Sequence, residues 1–392
     1  MIDKKFLFIP SLLLLLLIYS CSDSPTSIGH NLLSPDYINV SKLDSYQDSV
    51  EQTSSYYKTP VRLSDSPRLL VGKYDNVEVS SLIRFAVVLP DTIKNAFLNS
   101  TLDIIDAKVD LTREYSLGDS IADLAYSVHF VNSGWTSYGF NADSIPNLMY
   151  DNSDISSNKV YTDSVYSFNI DHPTIESWFS KAADTTFQNN NGIYIKPDPA
   201  STEIIGFDAY NVNLTGIPIL TVIVATGSLT DTLKFYSIED VSAISGDKPV
   251  VTPGNMAVQA GLAVDARVKF NLSSIPPGSV INGAQLSVFV DSSETKTGTG
   301  FTNSLVAYFA IDTSENTYDT TSAIVLTRVD NYFTGDIAPF IQSISSGYHD
   351  NNGIILAAGG QNLGVDIFAL KGSDATDNSL RPRLVITYTG RK

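Results

Sequence analysis

Short apolar runs, separated by clusters of Asn, Asp, Ser, Gly and Pro, recur along most of this chain. In several of them apolar and polar positions alternate: Lys108, Asp110 and Thr112 interleave with Val109 and Leu111, the period-two pattern of a strand with one buried face. Turn residues bound the runs. At 350–359, Asp350, Asn351, Asn352 and Gly353 lead into Ile354, Ile355 and Leu356, a tight turn followed by a buried strand. Helical periodicity is scarce. Residues 173–183 are the best helix candidate, with Pro173 suited to a first turn and Ile175, Trp178 and Phe179 on one face. The pattern predicts an all-β protein of two tandem antiparallel jelly-roll-like β-sandwiches, each with at most one short helix.

Two sandwiches are expected because the pattern occurs twice. "SSLIRFAVVLP" (80–90) and "STLDIIDAKVDLT" (100–112) are answered by "ARVKFNLSSIPPG" (266–278) and "SVINGAQLSVFV" (279–290). "FNIDHPTIESWF" (168–179) aligns with "FTGDIAPFIQSI" (333–344), "NNNGIYIKPD" (189–198) with "DNNGIILAAG" (350–359), and "IPILTVIVA" (217–225) with "LRPRLVITYT" (380–389). Landmarks kept in order mark a tandem duplication. The first copy is longer by roughly twenty residues on that alignment. The excess lies around the polar, turn-rich stretch 138–163, a surface loop of the kind that carries binding residues. The expected organisation is 1–20 signal peptide, 21–49 acylated cysteine and tether, 50–227 first sandwich and 228–392 second sandwich. Ile38, Val40 and Leu43 hint at a strand before residue 50.

Lys4 and Lys5 precede an apolar stretch at 6–19 that is short of the roughly 20 residues a spanning helix needs. It stops at Cys21, the single cysteine, in the context Ile18-Tyr19-Ser20-Cys21. That context resembles a bacterial lipobox and makes Cys21 the expected lipidation site of a lipoprotein. Residue 22 is Ser and not Asp, so outer-membrane placement is expected, on the periplasmic or the cell-surface side. One cysteine permits no intramolecular disulfide, so the domains must stand on their apolar cores.

A net charge of −17 argues against a nucleic-acid partner, because no basic stripe is present to neutralise phosphates. The histidines, His30, His129, His172 and His349, are scattered and fall in no metal-ligand spacing. No G-x-S-x-G elbow, phosphate-cradling glycine loop or cysteine nucleophile occurs. A non-enzyme with no catalytic residues and no cofactor is therefore expected. Two stretches carry candidate binding chemistry. "NSGWTSYGF" (132–140) gathers Trp135, Tyr138 and Phe140 among Gly, Ser and Asn. Flat rings can cover the apolar face of a sugar while amides take its hydroxyls; the other reading is that Trp135 plugs one end of the sandwich. "DNSDISSN" (151–158) offers Asp151, Asn152, Asp154 and Asn158 as oxygen donors for Ca2+. It lacks the glycine and distal Glu of an EF-hand, and a plain polar loop is the alternative.

The order of these elements resembles the DNRLRE family: an R-F strand, a Pro turn, an I-x-x-A strand, Trp-bearing segments, an N-x-G strand and the closing "RPRLVITY" of Arg381–Tyr388. The likeness covers most of 231–389 and, more loosely, 60–226. It implies jelly-roll-like β-sandwiches of the carbohydrate-binding-module kind. Trp135 and Trp178 stand where that family has tryptophans, while the second copy has Tyr318 near the first position and Ile344 at the second. A core site exchanges Trp for Ile more readily than a sugar platform does, so Trp178 is expected in the core. "IGHNLLSPD" (28–36) also resembles the opening of an envelope lipoprotein family of unknown function, chiefly over 21–90. The expected function is a non-catalytic lipoprotein of the outer membrane that binds a polysaccharide, or another envelope polymer, through sandwich-end loops. The alternative is a structural or adhesive lipoprotein acting through contacts with other envelope proteins, with no sugar binding.

Overall fold

Two strands open the described chain: β1 (Asn39–Asp44) lies in the stretch expected as a tether, and β2 (Gln52–Lys58) lies at the start of the expected first sandwich. The computed structural model describes residues 39–390 except 60–65, 119–123, 163, 185–189, 211–215 and 313–316. The expected signal peptide and Cys21 lie outside those residues.

The first sandwich runs through β3 (Arg68–Tyr74), β4 (Val77–Phe85), α1 (Asp91–Leu98), β5 (Asp103–Gly118), β6 (Tyr126–Phe130), β7 (Ser156–Tyr161), β8 (Val165–Ile170), α2 (His172–Ala183), β9 (Ile193–Pro197), β10 (Glu203–Asp208), β11 (Ile219–Thr226) and β12 (Leu229–Ser245). The second comprises β13 (Asn255–Gln259), β14 (Val264–Phe270), β15 (Val280–Phe289), β16 (Ser304–Ala310), β17 (Tyr318–Val329), β18 (Tyr332–Asp336), α3 (Ala338–Ser345), β19 (Ile354–Ala358), β20 (Ile367–Lys371) and β21 (Arg383–Gly390). All pairings among the described strands are antiparallel, so the protein is the expected all-β pair of sandwiches, but the first carries two helices, α1 and α2, where at most one is expected. No helix among the described residues is long and apolar enough to cross a membrane.

The repeat in sequence is a repeat in pairing. β4 pairs with β9 and β14 with β19; β5 lies between β8 and β11 as β15 lies between β18 and β21; β3 pairs with β10 as β13 does with β20. The duplicated Asn-Asn-Gly turn has a mechanical role in both copies. Asn190 Nδ2 donates to the Phe85 carbonyl at 2.8 Å, and Asn351 Nδ2 donates to the Phe270 carbonyl at the same distance. Gly192 then turns at φ +74°, where an added Cβ would sit 1.9 Å from the Ile83 carbonyl oxygen. Only glycine fits such a backbone approach.

Helix α2 forms where expected: the Asp171 side chain accepts from the Thr174 N–H and Pro173 occupies the first turn. Its Ile175, Trp178 and Phe179 enter the first core beside Phe85 and Phe235, and Trp178 is 1% exposed. In the second sandwich, Ile344 packs in part against the corresponding core.

The expected domain limits do not hold. β12 is a 17-residue strand whose first half pairs with β11 and whose second half pairs with β4, so it closes the first sandwich instead of opening the second. β1 pairs with β21 over Asn39–Asp44 and β2 pairs with β14 over Gln52–Lys58. Residues 39–58 thus do for the second sandwich what β12 does for the first. The first sandwich is inserted between the closing strands of the second and its body. The cause is sheet-edge chemistry: β21 and β14 each present unpaired backbone groups that a strand must cover. Arg383 fastens the junction, with Nε and Nη2 donating to the two carboxylate oxygens of Asp44 at 3.0 and 2.6 Å. Those bonds hold the buried Asp44 carboxyl down at about 2.

The two sandwiches also share apolar contact. Leu70, Val79 and Tyr115 of the first form one buried cluster with Leu262, Val264 and Val365 of the second. The Tyr115 hydroxyl donates to Asp366 Oδ1 at 3.2 Å, and Arg68 reaches the Leu363 carbonyl at 2.7 Å.

Candidate functional site: the 131–149 loop

The excess of the first copy, expected as a loop over 138–163, leaves β6 at Val131 and returns at Tyr150, where those two residues form an isolated antiparallel bridge, while 156–161 is the strand β7 paired with β8. The Asn132 N–H closes the neck on the Met149 carbonyl. Within the loop, residues 142–147 make a 3-10 helix whose N-cap, Asn141, exchanges bonds with Asp143 and Ser144 in a capping box. In the second sandwich the equivalent connection, between β16 and β17, spans only residues 311–317.

Phe140 anchors the loop. It is 8% exposed and packs with Leu82, Val131, Leu148, Tyr194 and Val241 in a small core on the outer face of the sheet. Trp135 leans on the same cluster with its edge toward Phe140, ring centroids 6.4 Å apart. Its Nε1 donates to the Asn191 carbonyl at 2.7 Å, and the Arg84 guanidinium lies 4.6 Å from the ring centroid. Arg84 in turn donates to the Trp135 carbonyl at 2.6 Å and to Glu239 at 2.7 Å, while Glu239 accepts from the Ser137 N–H. This ion pair joins β4, β12 and the loop, so the ring is held from behind. Tyr138 is 81% exposed.

Trp135, Tyr138 and Phe140 therefore meet on one open pocket of 250 Å3, whose polar wall includes Ser133, Ser144 and Asn147. Their roles divide: Phe140, expected as a ligand contact, is chiefly the anchor, Trp135 is a braced half-buried wall, and Tyr138 is the free ring. Arg84 and Glu239 escaped sequence reasoning as parts of this site. Arg84 was legible only as a repeat landmark, and Glu239 lies in a strand assigned to the other sandwich.

Of the expected calcium donors, Asp151 and Asp154 are each hydrogen-bonded within the chain. Asp154 Oδ1 accepts from the Val128 N–H and from Ser156, and its Oδ2 accepts from Lys159 Nζ at 3.0 Å. Burial pushes that carboxyl up, but the Ser156 hydroxyl, two backbone N–H groups and Lys159 hold it below the ordinary range. Asp151 accepts from Asn132 at 2.6 Å. Asn158 sits at φ +47° within β7, at the bulge between Ser157 and Val160. Among the described residues no three acidic, histidine or cysteine side chains form a group able to hold a metal ion.

No family model and no curated protein matches the chain. Among solved structures, the manganese lipoxygenase of Gaeumannomyces graminis, described together with a partial structure of zonadhesin of Komagataella pastoris, aligns at 12% identity. The alignment covers 83% of this chain and 84% of that one with a TM-score of 0.16, a value that carries no argument about fold or function.

Proposed function

We propose that the protein is a non-catalytic lipoprotein of the outer membrane that binds a glycan, or another envelope polymer, through the 131–149 loop of its first sandwich. One observation carries this reading: an indole and a phenol ring share an open pocket with hydroxyl and amide groups. The indole is braced by Arg84 and by the Asn191 carbonyl, so binding need not first order it. The same loop is absent from the second copy, which separates it from what the fold itself requires. Binding is tested by affinity electrophoresis of residues 22–392 in gels cast with a series of polysaccharides. Retardation by at least one polymer, lost in Tyr138→Ala, is the expected result. Uniform migration in every gel refutes sugar binding and favours the protein-contact alternative. The anchor is tested separately: residues 22–392 exported behind a cleavable secretion signal should no longer sediment with membranes, since no helix among the described residues is long and apolar enough to retain them.

A further inference from the structure

The seam that closes the second sandwich carries a cleft of 600 Å3, within the size range of small-molecule sites. One wall is the connection between β1 and β2, with Tyr46 and Glu51; the other is the segment between β20 and β21, with Asp374 and Arg381. The walls are tied together at both ends. The Tyr46 hydroxyl donates to the Ser379 carbonyl at 2.9 Å and also reaches the Arg381 carbonyl, and the Ser373 N–H donates to Ser54 Oγ at 2.8 Å. The cleft is therefore preformed, and a ligand need not order it.

The first sandwich does without it. There β12 passes from pairing with β11, at Tyr236, to pairing with β4, at Ser237, with no residue between. In the second sandwich, pairing with β21 ends at Asp44 and pairing with β14 begins at Gln52, so residues 45–51 loop out and form a wall. The other wall changes with it. Ile217-Pro218-Ile219 of the first copy stands where the second has Arg381-Pro382-Arg383. Ile217 is buried, whereas Arg381 lines the cleft. The frame is shared and the charged cleft is particular to one copy, so the fold itself does not require it.

Arg383 is committed to Asp44 through two of its nitrogens. Arg381 is fixed by Nε alone, which donates to the Ala375 carbonyl at 2.9 Å; its terminal nitrogens make no hydrogen bond among the described residues. A guanidinium with a free end takes a carboxylate through two parallel bonds. A simple anion does not suit the cleft, because Glu51 and Asp374 line it too and the chain carries a net charge of −17. Those carboxylates suit an ammonium group instead. We infer that this cleft binds a small zwitterion, a short peptide with both ends free, whose carboxylate is taken by Arg381 and whose ammonium is taken by Glu51. The site lies on the other sandwich from the aromatic loop and does not depend on the reading of that loop as a glycan site.

The detergent-purified protein is titrated by calorimetry with glycyl-glycine, alanyl-alanine, seryl-alanine and leucyl-glycine. The expected result is that at least one of them binds, and that its N-acetyl derivative and its C-terminal amide each bind roughly tenfold more weakly, the loss of one charge-assisted interaction. Glu51→Gln should weaken the free dipeptide by the same factor without further weakening the N-acetyl derivative. Arg381→Lys should do the same without further weakening the amide. Glu51 is exposed, so Glu51→Gln keeps its fold and decides the matter even if Arg381→Lys does not fold. Silence across the four dipeptides overturns the inference. So does binding that is indifferent to the blocking of either end or to Glu51→Gln.

Discussion

Trp178 and Tyr138 are both aromatic residues of the first sandwich, yet their environments assign them opposite roles. Trp178 is enclosed by Ile175, Phe179 and Phe85, with its ring centroid 6.2 Å from that of Phe85. Trp178→Ala should cost about 3–5 kcal/mol in chemical denaturation, the range for a large aromatic removed from a packed interior. Tyr138 is almost wholly in solvent. Tyr138→Ala should change stability by less than about 0.5 kcal/mol while abolishing polymer retardation. Asp265 supplies a third residue-scale prediction. It is fully buried on β14, accepting from Gln361 at 3.1 Å and from the Thr59 hydroxyl at 3.4 Å, and burial pushes its carboxyl up to about 7. The folded chain then holds a proton that the unfolded chain loses near pH 4. Between pH 4 and 7 the native state binds more protons, so the contribution of this group to stability falls as pH rises and is fully lost above 7. Asp265→Asn should flatten that slope in denaturation curves taken across the window; an unchanged slope would show that Asp265 is already ionised at pH 5.

At the scale of elements, closing strands decide what can fold alone. β11 and β12 are joined by a two-residue turn, Gly227-Ser228, with Thr226 opposite Leu229. In the second sandwich Asn39 lies opposite Gly390 in the same arrangement, although the two ends are far apart in the chain. A chain of residues 255–390 followed by a short turn and then 39–58 should therefore fold as a cooperative β-unit. Residues 246–392 without those strands should be molten or insoluble, because the edges of β21 and β14 stay open. Circular dichroism and urea unfolding of the two chains check this, and cooperative folding of the shorter one would show that β1 and β2 are dispensable. The pair of buried Asp44 with partly exposed Arg383 lies on the same seam, so the closing "RPRLV" segment is tied to a residue nearly the whole described chain away.

For the molecule as a whole, the insertion of one sandwich between the parts of the other couples their unfolding. The shared cluster around Tyr115 and Val365 is apolar and buried, and the Tyr115–Asp366 bond lies within it. Gly298 sits where the sandwiches touch: an added Cβ would come 2.5 Å from the Ser116 carbonyl oxygen and 2.6 Å from the Tyr115 ring. Calorimetry of the native chain should show one transition. Gly298→Val should wedge the sandwiches apart and split it in two, each core staying intact because neither is touched by the substitution. A single transition at an unchanged temperature in the variant would mean that the interface yields without cost.

Alternation in 108–112, the paired Asn-Asn-Gly turns and the face of Ile175, Trp178 and Phe179 are local signals, and each survived intact in the fold. They were legible because backbone geometry ties side-chain direction to sequence spacing. The meeting of Trp135, Tyr138 and Phe140 was legible for the same reason, since six residues of one loop cannot spread far. Tertiary structure alone decided that residues 39–58 belong with β14 and β21, that Glu239 braces Trp135 through Arg84, and that Asp154 serves Lys159 and its own turn. Alternation records which face of a strand is buried, but an open sheet edge presents the same N–H and C=O groups to any strand that reaches it. The choice of partner is made by the path of the whole chain.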